Sequence, residues 1–273
     1  MAFASVTTSS ERIAQRFAEL RARGRRALVA YVTAGHPDRA SSLELLRSLE
    51  SAGADVVEVG VPFSDPIADG PIIQASSQRA LEQGMTLDRT LELIGAANVG
   101  VPVVLFTYLN PLAAAGNDAL ERAAQAGVHG ILVTDLPLGA DDAREAWLGS
   151  GPLAFVRLVA PTTPRSRMAK IAEHGRGFVY LISRLGVTGV RDELPPELAS
   201  TVGRLRSVTD LPICVGFGIS RPEQAKAVAA MADGVVVGSA IVRAAADGPE
   251  AALRLTRSLR EAIDPATISP ARA

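Results

Sequence analysis

The stretch Val56-Val-Glu-Val-Gly-Val-Pro-Phe-Ser-Asp-Pro-Ile-Ala-Asp-Gly-Pro-Ile-Ile-Gln74 begins as an apolar β-strand and continues as a loop rich in proline and aspartate. Glu58 lies in the middle of the strand, where removing an unpaired charge from water costs several kcal/mol. Such a carboxyl group must be paired with a cation, protonated, or used in chemistry. A structural ion pair is the alternative to a catalytic role at this position.

The loop that follows the strand carries two further carboxyl groups, Asp65 and Asp69, between three prolines. Aspartates in turns often bond their own backbone, so each of them also has a purely structural interpretation. Three carboxyl groups at the end of one apolar strand nevertheless favour proton-transfer chemistry, because a desolvated carboxyl can both donate and accept a proton near neutral pH.

Seven more apolar runs of similar length accompany this strand, and helical periodicity follows each of them. Most are apolar at nearly every position, which is typical of parallel strands that are covered on both faces. In chain order the eight predicted strands are Arg26–Gly35, Asp55–Pro62, Pro102–Asn110, Gly130–Pro137, Ala154–Ala160, Phe178–Arg184, Pro212–Ile219 and Gly234–Val242.

Eight strand–helix units in 273 residues predict an α/β protein consisting of a single (β/α)8 TIM barrel. A doubly wound open sheet is the alternative, but its glycine fingerprint is missing after the first strand. Residues 1–25 contain the amphipathic segment Glu11–Arg23, which we expect to cap the bottom of the barrel. Residues 265–273 carry no pattern and are expected to form a flexible tail.

Composition excludes several classes of function. The 28 basic and 29 acidic residues give a net charge of -1, so nothing favours binding to nucleic acid or to an anionic membrane. Apolar runs are shorter than the roughly 18 residues that a bilayer requires, and the first residues do not resemble a signal peptide. The single cysteine and three scattered histidines predict no disulfide and no metal site. We therefore expect a cytoplasmic protein.

Glycines cluster at the ends of the last three predicted strands. They lie in Gly186-Val-Thr-Gly189, in Gly216-Phe-Gly-Ile-Ser220 and at Gly238-Ser239. Barrels of this size often bind phosphate at the loops after strands 7 and 8, where glycines let backbone N–H groups approach the anion. We therefore predict a phosphate site there. Tyr180, in the sixth strand, points either into this site or towards the helices.

These motifs together resemble the tryptophan synthase alpha subunit family, and the match extends over nearly the whole chain. The segment from Glu58 to Gln74 carries the most specific part of the resemblance. The other matching motifs are Thr33-Ala-Gly, Tyr108-Leu-Asn-Pro, Asp135-Leu-Pro, Ser183-Arg-Leu-Gly-Val-Thr-Gly189, Gly216-Phe-Gly-Ile-Ser220 and Gly238-Ser-Ala. His36 departs from the pattern, because the family usually has aspartate there.

The resemblance implies a carbon–carbon lyase that cleaves indole-3-glycerol phosphate to indole and glyceraldehyde 3-phosphate. It implies that Glu58 is the general acid and base and that Asp69 binds the indole N–H group. It also implies substrate-binding roles in the second half of the barrel and a loop or partner-contact role for Pro62 and Asp65. The implied substrate-binding residues are Tyr180, Thr188, Gly189, Phe217, Gly218, Gly238 and Ser239.

The resemblance also implies a partner, the beta subunit, in an alpha2-beta2 assembly of the aromatic amino acid biosynthesis pathway. Indole would pass to that subunit, which carries pyridoxal phosphate, whereas this chain needs no cofactor. Two alternatives remain at this point: a stand-alone lyase that releases free indole, and a non-catalytic partner that only activates the beta subunit.

Overall fold

Eight parallel strands close into a barrel in the order in which they occur in the chain. The computed structural model describes residues 9–183, 194–216 and 218–264. Closure confirms the (β/α)8 prediction and excludes the open doubly wound sheet. The strands are β1 (Ala27–Thr33), β2 (Val56–Gly60), β3 (Val103–Thr107), β4 (Gly130–Val133), β5 (Ala154–Val159), β6 (Val179–Ile182), β7 (Ile213–Gly216) and β8 (Gly234–Val237).

Helices surround the barrel, and the described residues contain twelve of them. The connections after β2 and β3 each hold two helices, and two more helices follow β8, so there is more than one helix per strand. They are α1 (Glu11–Ala22), α2 (Arg39–Ser48), α3 (Pro71–Glu82), α4 (Leu87–Ala97), α5 (Leu109–Ala115), α6 (Ala119–Gln125), α7 (Asp142–Ser150), α8 (Arg165–Glu173), α9 (Leu198–Arg206), α10 (Pro222–Ala229), α11 (Ser239–Ala245) and α12 (Pro249–Ile263).

Two apolar layers explain why the strands lack a polar–apolar alternation. In β1, Val29 and Tyr31 belong to the cluster that fills the barrel, whereas Leu28 and Val32 pack outward against the helices. Both faces of each strand are therefore buried, and apolar side chains on both faces contribute free energy through removal from water. A polar side chain that points inward is consequently exceptional in this fold.

Helix α1 closes the amino-terminal end of the barrel. Its residues Ile13 and Phe17 are buried in the same cluster as the inward side chains of the strands. The rings of Phe17 and Phe178 lie 5.7 Å apart. At Gly130, the first residue of β4, an added Cβ would lie 2.6 Å from Ile13 Cδ1, so the absence of a side chain there lets the helix approach closely.

Four strands end three or more residues before the predicted position. The fourth ends at Val133 and not at Pro137, and the seventh ends at Gly216 and not at Ile219. The eighth strand was expected to reach Val242, but it ends at Val237 and Gly238 leaves the extended conformation with φ −115° and ψ −82°. The third was expected to reach Asn110, but helix α5 begins at Leu109. After β3 and β8, apolar residues continue past the strand into a helix, and apolarity alone does not distinguish the two structures.

A buried ion cluster around Asp55 joins α1 and α12 to the barrel. The Asp55 carboxylate accepts hydrogen bonds from Arg16 Nη2 and Arg260 Nη1, each at 2.6 Å, and from the backbone N–H of Leu28 at 2.9 Å. Because Asp55 and Arg260 are both buried, removing the charge of Asp55 leaves the desolvated Arg260 guanidinium group with only the partly exposed Asp264 as a counter-charge. None of the described helices is long and apolar enough to span a membrane.

We predict that Asp55→Asn lowers the free energy of unfolding by about 3 kcal/mol, as expected when one member of a buried ion pair is lost. Urea denaturation followed by circular dichroism measures the change. The control is Glu92→Gln, which breaks the exposed pair between Arg39 and Glu92 and should cost less than about 1 kcal/mol. Equal losses in the two variants would contradict the importance given to the buried cluster.

Candidate active site

Glu58 points into the barrel from β2 and is 1% exposed. Within residues 9–183, 194–216 and 218–264, neither of its carboxylate oxygens has a hydrogen-bond partner. Burial raises the pKa of the Glu58 carboxyl from its ordinary value of 4.5 to about 8. The group is therefore mostly protonated at neutral pH. A structural glutamate would be expected to form an ion pair, and Glu58 forms none among the described residues. Its protonated carboxyl group is therefore able to act as a proton donor.

The loop from Val61 to Gly70 is folded onto the mouth of the barrel. The N–H group of Val61 donates to Phe106 O, and Asp69 N donates to Pro66 O at 3.0 Å. Gln74 in α3 donates through Nε2 to the backbone oxygen of Asp69. These bonds give the loop a defined shape and set the position of the Asp69 backbone.

Tyr108, which follows β3, fixes the Asp69 side chain. Its hydroxyl donates to Asp69 Oδ2 at 3.0 Å and accepts from the N–H group of Ala68 at 3.0 Å. Burial raises the pKa of Asp69 to about 6, although the hydrogen bond from Tyr108 lowers it. Burial and the nearby Asp69 charge in turn raise the pKa of the Tyr108 phenol. At neutral pH, Asp69 is mostly ionised while Glu58 is mostly protonated.

Glu58 and Asp69 line one cavity at the carboxyl ends of the strands. Its wall is apolar on most sides, and its polar groups are the two carboxyl groups, the hydroxyls of Tyr31 and Tyr180, and the glycine-rich ends of β7 and β8. The lining residues are Tyr31, Glu58, Asp69, Ile72, Ile73, Phe106, Tyr180, Gly218, Ile219, Ser220, Val236, Gly238, Ser239 and Ala240. A cavity of this kind suits a ligand with a flat apolar part and one charged end.

Tyr180 points into the barrel, which settles the question that the sequence left open. Burial raises the pKa of its phenol well above the usual range, and the charge of Glu58 adds to this shift. A Cβ added to Gly216 would lie 2.2 Å from the Tyr180 hydroxyl. Glycine is needed there because the tyrosine hydroxyl occupies the space of a side chain.

The glycine-rich end of the cavity presents backbone groups. Gly218 has φ +80°, a conformation that favours glycine. Gly238 precedes α11, and Ser239 is the first residue of that helix. The first N–H groups of a helix have no acceptor within the helix, so they can donate to an anion. This end of the cavity therefore fits the phosphate site predicted from the glycine motifs.

The structure brings most of the predicted site residues together. Glu58, Asp69, Tyr180 and the pair Gly238-Ser239 share the cavity, as does Gly218. Thr188, Gly189 and Phe217 lie outside the described residues. The remaining two do not line the cavity: the Pro62 ring is buried within the loop, and Asp65 is exposed on its outer side.

Asp65 accepts a hydrogen bond from Ser64 Oγ at 2.6 Å, a contact between neighbouring side chains and not the bond to its own backbone that its structural interpretation predicted. Asp135, at the end of β4, accepts from the N–H group of Leu109 at 2.8 Å. It therefore stabilises the first turn of α5. In the described part of the chain, no three His, Cys, Asp or Glu side chains are grouped so that they could hold a metal ion.

Sequence reasoning missed three aromatic residues of the site. Tyr31 and Phe106 line the cavity, and their rings make an edge-to-face contact at 5.1 Å. Tyr108 was noted only as part of a motif. No signal in a single sequence marks Tyr31 or Phe106, because inward and outward residues of these strands are equally apolar. The proline and asparagine that follow Tyr108 could have placed it at a strand end.

Comparison with known proteins gives a consistent result. Residues 17–266 match the family model described as the tryptophan synthase alpha chain. A tryptophan synthase alpha chain from Geobacter sp. strain M21 is 50% identical over 235 residues, which are 85% of this chain and 88% of the relative. The alpha chain from Carboxydothermus hydrogenoformans is 47% identical over the same shares of the two chains.

Solved structures agree in fold over nearly the full length. A chain of Mycobacterium tuberculosis tryptophan synthase superimposes with a TM-score of 0.86 at 37% identity, covering 92% of this chain and 98% of the other. Tryptophan synthase subunit alpha from Legionella pneumophila gives a TM-score of 0.84 at 35% identity, with 93% and 98% covered.

The raised pKa of Glu58 predicts a pH-dependent stability difference between the wild-type chain and Glu58→Gln. The folded state binds more protons than the unfolded state between pH 4.5 and about 8, so the Glu58 contribution is present below that range and is lost as pH rises through it. The variant should therefore gain stability relative to the wild type by at most about 1.4 kcal/mol per pH unit up to pH 8.

Urea denaturation of both chains at pH 5, 6.5, 8 and 9.5 measures this difference. The exposed Glu44→Gln serves as the matched control, because it removes a carboxyl group of the same kind from the surface. A difference between Glu58→Gln and wild type that stays constant from pH 5 to 9.5 would mean that Glu58 is not kept protonated by the fold.

Proposed function

The chain belongs to the tryptophan synthase alpha chain family, a family of lyase subunits, and on this basis we propose that its cavity cleaves indole-3-glycerol phosphate to indole and glyceraldehyde 3-phosphate. The observation that carries the proposal is that one cavity holds two carboxyl groups, Glu58 with no hydrogen-bond partner among the described residues and Asp69 with a bond from Tyr108. With pKa values of about 8 for Glu58 and about 6 for Asp69, one is an acid and the other an anion near pH 7.

The first step needs an acid, because a carbanion on indole is a poor leaving group. Glu58 donates its proton to C3 of the indole ring, and the ring takes up a positive charge that is shared with its nitrogen. The Asp69 carboxylate accepts the hydrogen bond of the indole N–H group and stabilises that charge. Its attraction to the charged ring is greater than to the neutral ring, so it lowers the barrier.

The second step breaks the carbon–carbon bond. The Glu58 carboxylate takes the proton from the hydroxyl of the glycerol carbon attached to C3. The electrons of that O–H bond form the aldehyde C=O bond, and those of the C–C bond return to the ring as indole. Glu58 ends the cycle protonated, so the reaction is balanced and needs no cofactor in this chain.

The other site residues bind and enclose the substrate in this proposal. Gly218, Gly238 and Ser239 would bind the phosphate through backbone N–H groups. Tyr180 would lie beside the ring next to Glu58. We extend the same roles by resemblance to Thr188, Gly189 and Phe217, with the connection after β6 closing over the ligand and excluding water.

We further propose that this chain works with a beta subunit, which holds pyridoxal phosphate and takes up the indole. The surface next to the cavity supports a docking role. Asp65 is exposed on the loop after β2, and its neighbour Ile67 is 80% exposed. Together with Phe63 and Pro71 they border a shallow depression. Exposed apolar residues on an ordered loop are typical of a contact with another protein.

Glu58→Gln should lower turnover by at least about 10²-fold, because glutamine cannot donate the proton that C3 needs. Substrate binding should persist, since the side chain keeps its size. Release of glyceraldehyde 3-phosphate from indole-3-glycerol phosphate, measured by a coupled reductase assay, gives the rate. Near-wild-type turnover in the variant would end the proposed mechanism.

Asp69→Asn should also reduce kcat, by about 10²-fold or more, because its carboxylate acts most strongly on the charged ring of the transition state. A change in KM with kcat unaltered would mean that Asp69 is a binding or turn residue.

In the wild-type chain, kcat/KM should rise with pH near pH 6, as Asp69 ionises, and fall near pH 8, as Glu58 loses its proton.

The same assay with and without a beta subunit separates the remaining alternatives. Stimulation by the beta subunit is expected for the proposed assembly. Full turnover without any stimulation would favour a stand-alone lyase that releases free indole. Failure to cleave the substrate in both conditions would favour a non-catalytic activating partner, which should then still stimulate a beta subunit when Glu58 is replaced by glutamine.

A further inference from the structure

Strand β1 lies between the two ends of the cavity. In the closed barrel it is bonded to β2, which carries Glu58, and to β8, which leads to Gly238. Strand β1 is therefore placed to contact a ligand that reaches from the carboxyl groups to the phosphate end. Tyr31 is the β1 residue that lies opposite Glu58 in the strand register, and it lines the cavity.

The Tyr31 side chain extends from the phosphate end of the cavity to the side that carries Glu58. At its base, Cβ and Cδ1 lie 3.4 Å from the position of a Cβ added to Gly238, at the phosphate end. At its tip, the hydroxyl lies 2.1 Å from the position of a Cβ added to Gly60. Gly60 is two residues beyond Glu58 on the same face of β2, so the hydroxyl lies just above Glu58 towards the mouth of the barrel.

Two neighbours hold the ring in this orientation. Gly60 provides the space for the hydroxyl, and Phe106 contacts the ring edge-to-face at 5.1 Å with an interplanar angle of 78°. Gly60 lies in β2 and Phe106 lies in β3, so the strands of the barrel themselves set the position of the Tyr31 hydroxyl. A phenylalanine would fill the same space apart from that oxygen.

The surroundings of the hydroxyl keep it protonated. Burial raises the pKa of the Tyr31 phenol well above the usual range, and the charges of Asp69 and Glu58 raise it further, whereas Thr33 opposes the shift. A phenol donates one hydrogen bond and accepts two, so contact with Thr33 leaves capacity for a ligand. The nearby walls, Ile73 and Val236, offer no polar group to a ligand hydroxyl.

Building on the proposed function, we propose that the Tyr31 hydroxyl binds the hydroxyl of the second glycerol carbon of the substrate, the one that stays in the aldehyde product. Glu58 handles the reacting hydroxyl on the first carbon, and the second would otherwise face apolar side chains at a cost in free energy. Tyr31 is thus a positioning residue. It aligns the chain between ring and phosphate so that the reacting hydroxyl meets Glu58.

The test pairs a change in the protein with the same change in the ligand. Dissociation constants are measured in the Glu58→Gln chain, which binds without turnover, and in Glu58→Gln with Tyr31→Phe. The ligands are indole-3-glycerol phosphate and its analogue that lacks the hydroxyl on the second glycerol carbon. Tyr31→Phe should weaken binding of the full substrate by about three- to tenfold, the usual range for one hydrogen bond, and leave binding of the deoxy analogue unchanged.

An equal loss for both ligands, or no loss for either, would overturn the proposal, because the effect would then not depend on the two hydroxyls meeting. Loss of all binding in the Glu58→Gln chain, together with an inactive wild type, would instead sink the proposed function. As a folding control, Tyr31→Phe should keep the melting temperature of its parent. If the melting temperature changes, the test uses the ligands alone. The Glu58→Gln chain must then bind the deoxy analogue about three- to tenfold more weakly than it binds the substrate.

Discussion

The desolvation of one carboxyl group is the constraint on which this site depends. Glu58 lies where the barrel interior removes it from water, and neither of its oxygens has a hydrogen-bond partner among the described residues. The fold keeps an acid protonated by denying its charged form both solvent and counter-charge. That cost in stability is tolerable because the surrounding strands contribute a large apolar core on both faces.

The contrast with Asp69 turns this constraint into chemistry. Asp69 sits on a loop at the mouth, where a hydrogen bond from Tyr108 stabilises its ionised form and partly offsets burial. Two carboxyl groups of one cavity are thereby held in opposite protonation states across the neutral range. Two glycines also shape this cavity. Gly60 in β2 makes room for the hydroxyl of Tyr31, and Gly216 in β7 makes room for that of Tyr180.

The barrel could be predicted from the sequence because buried parallel strands produce a clear pattern. That pattern is eight apolar runs, each followed by a helical segment. The sequence predicted Glu58 because a charge inside such a run is energetically exceptional. It placed the ends of β3 and β8 too late, since the apolar residues that follow belong to helices packed on the same core. The role of Tyr108 depends on a hydrogen bond to a residue 39 positions away, and that of Tyr31 depends on strand register. A local sequence pattern predicts neither of these.

The most direct test of the account is the pKa of Glu58 itself in the wild-type chain. Infrared difference spectra, recorded from pH 5 to 9.5 and compared with those of Glu58→Gln, would follow the carbonyl stretch of its protonated carboxyl group. If the barrel keeps Glu58 protonated, this band persists through pH 7 and disappears with a midpoint of about 8. A band that disappears near pH 4.5 would show that Glu58 is ionised at neutral pH, which would contradict its role as the acid.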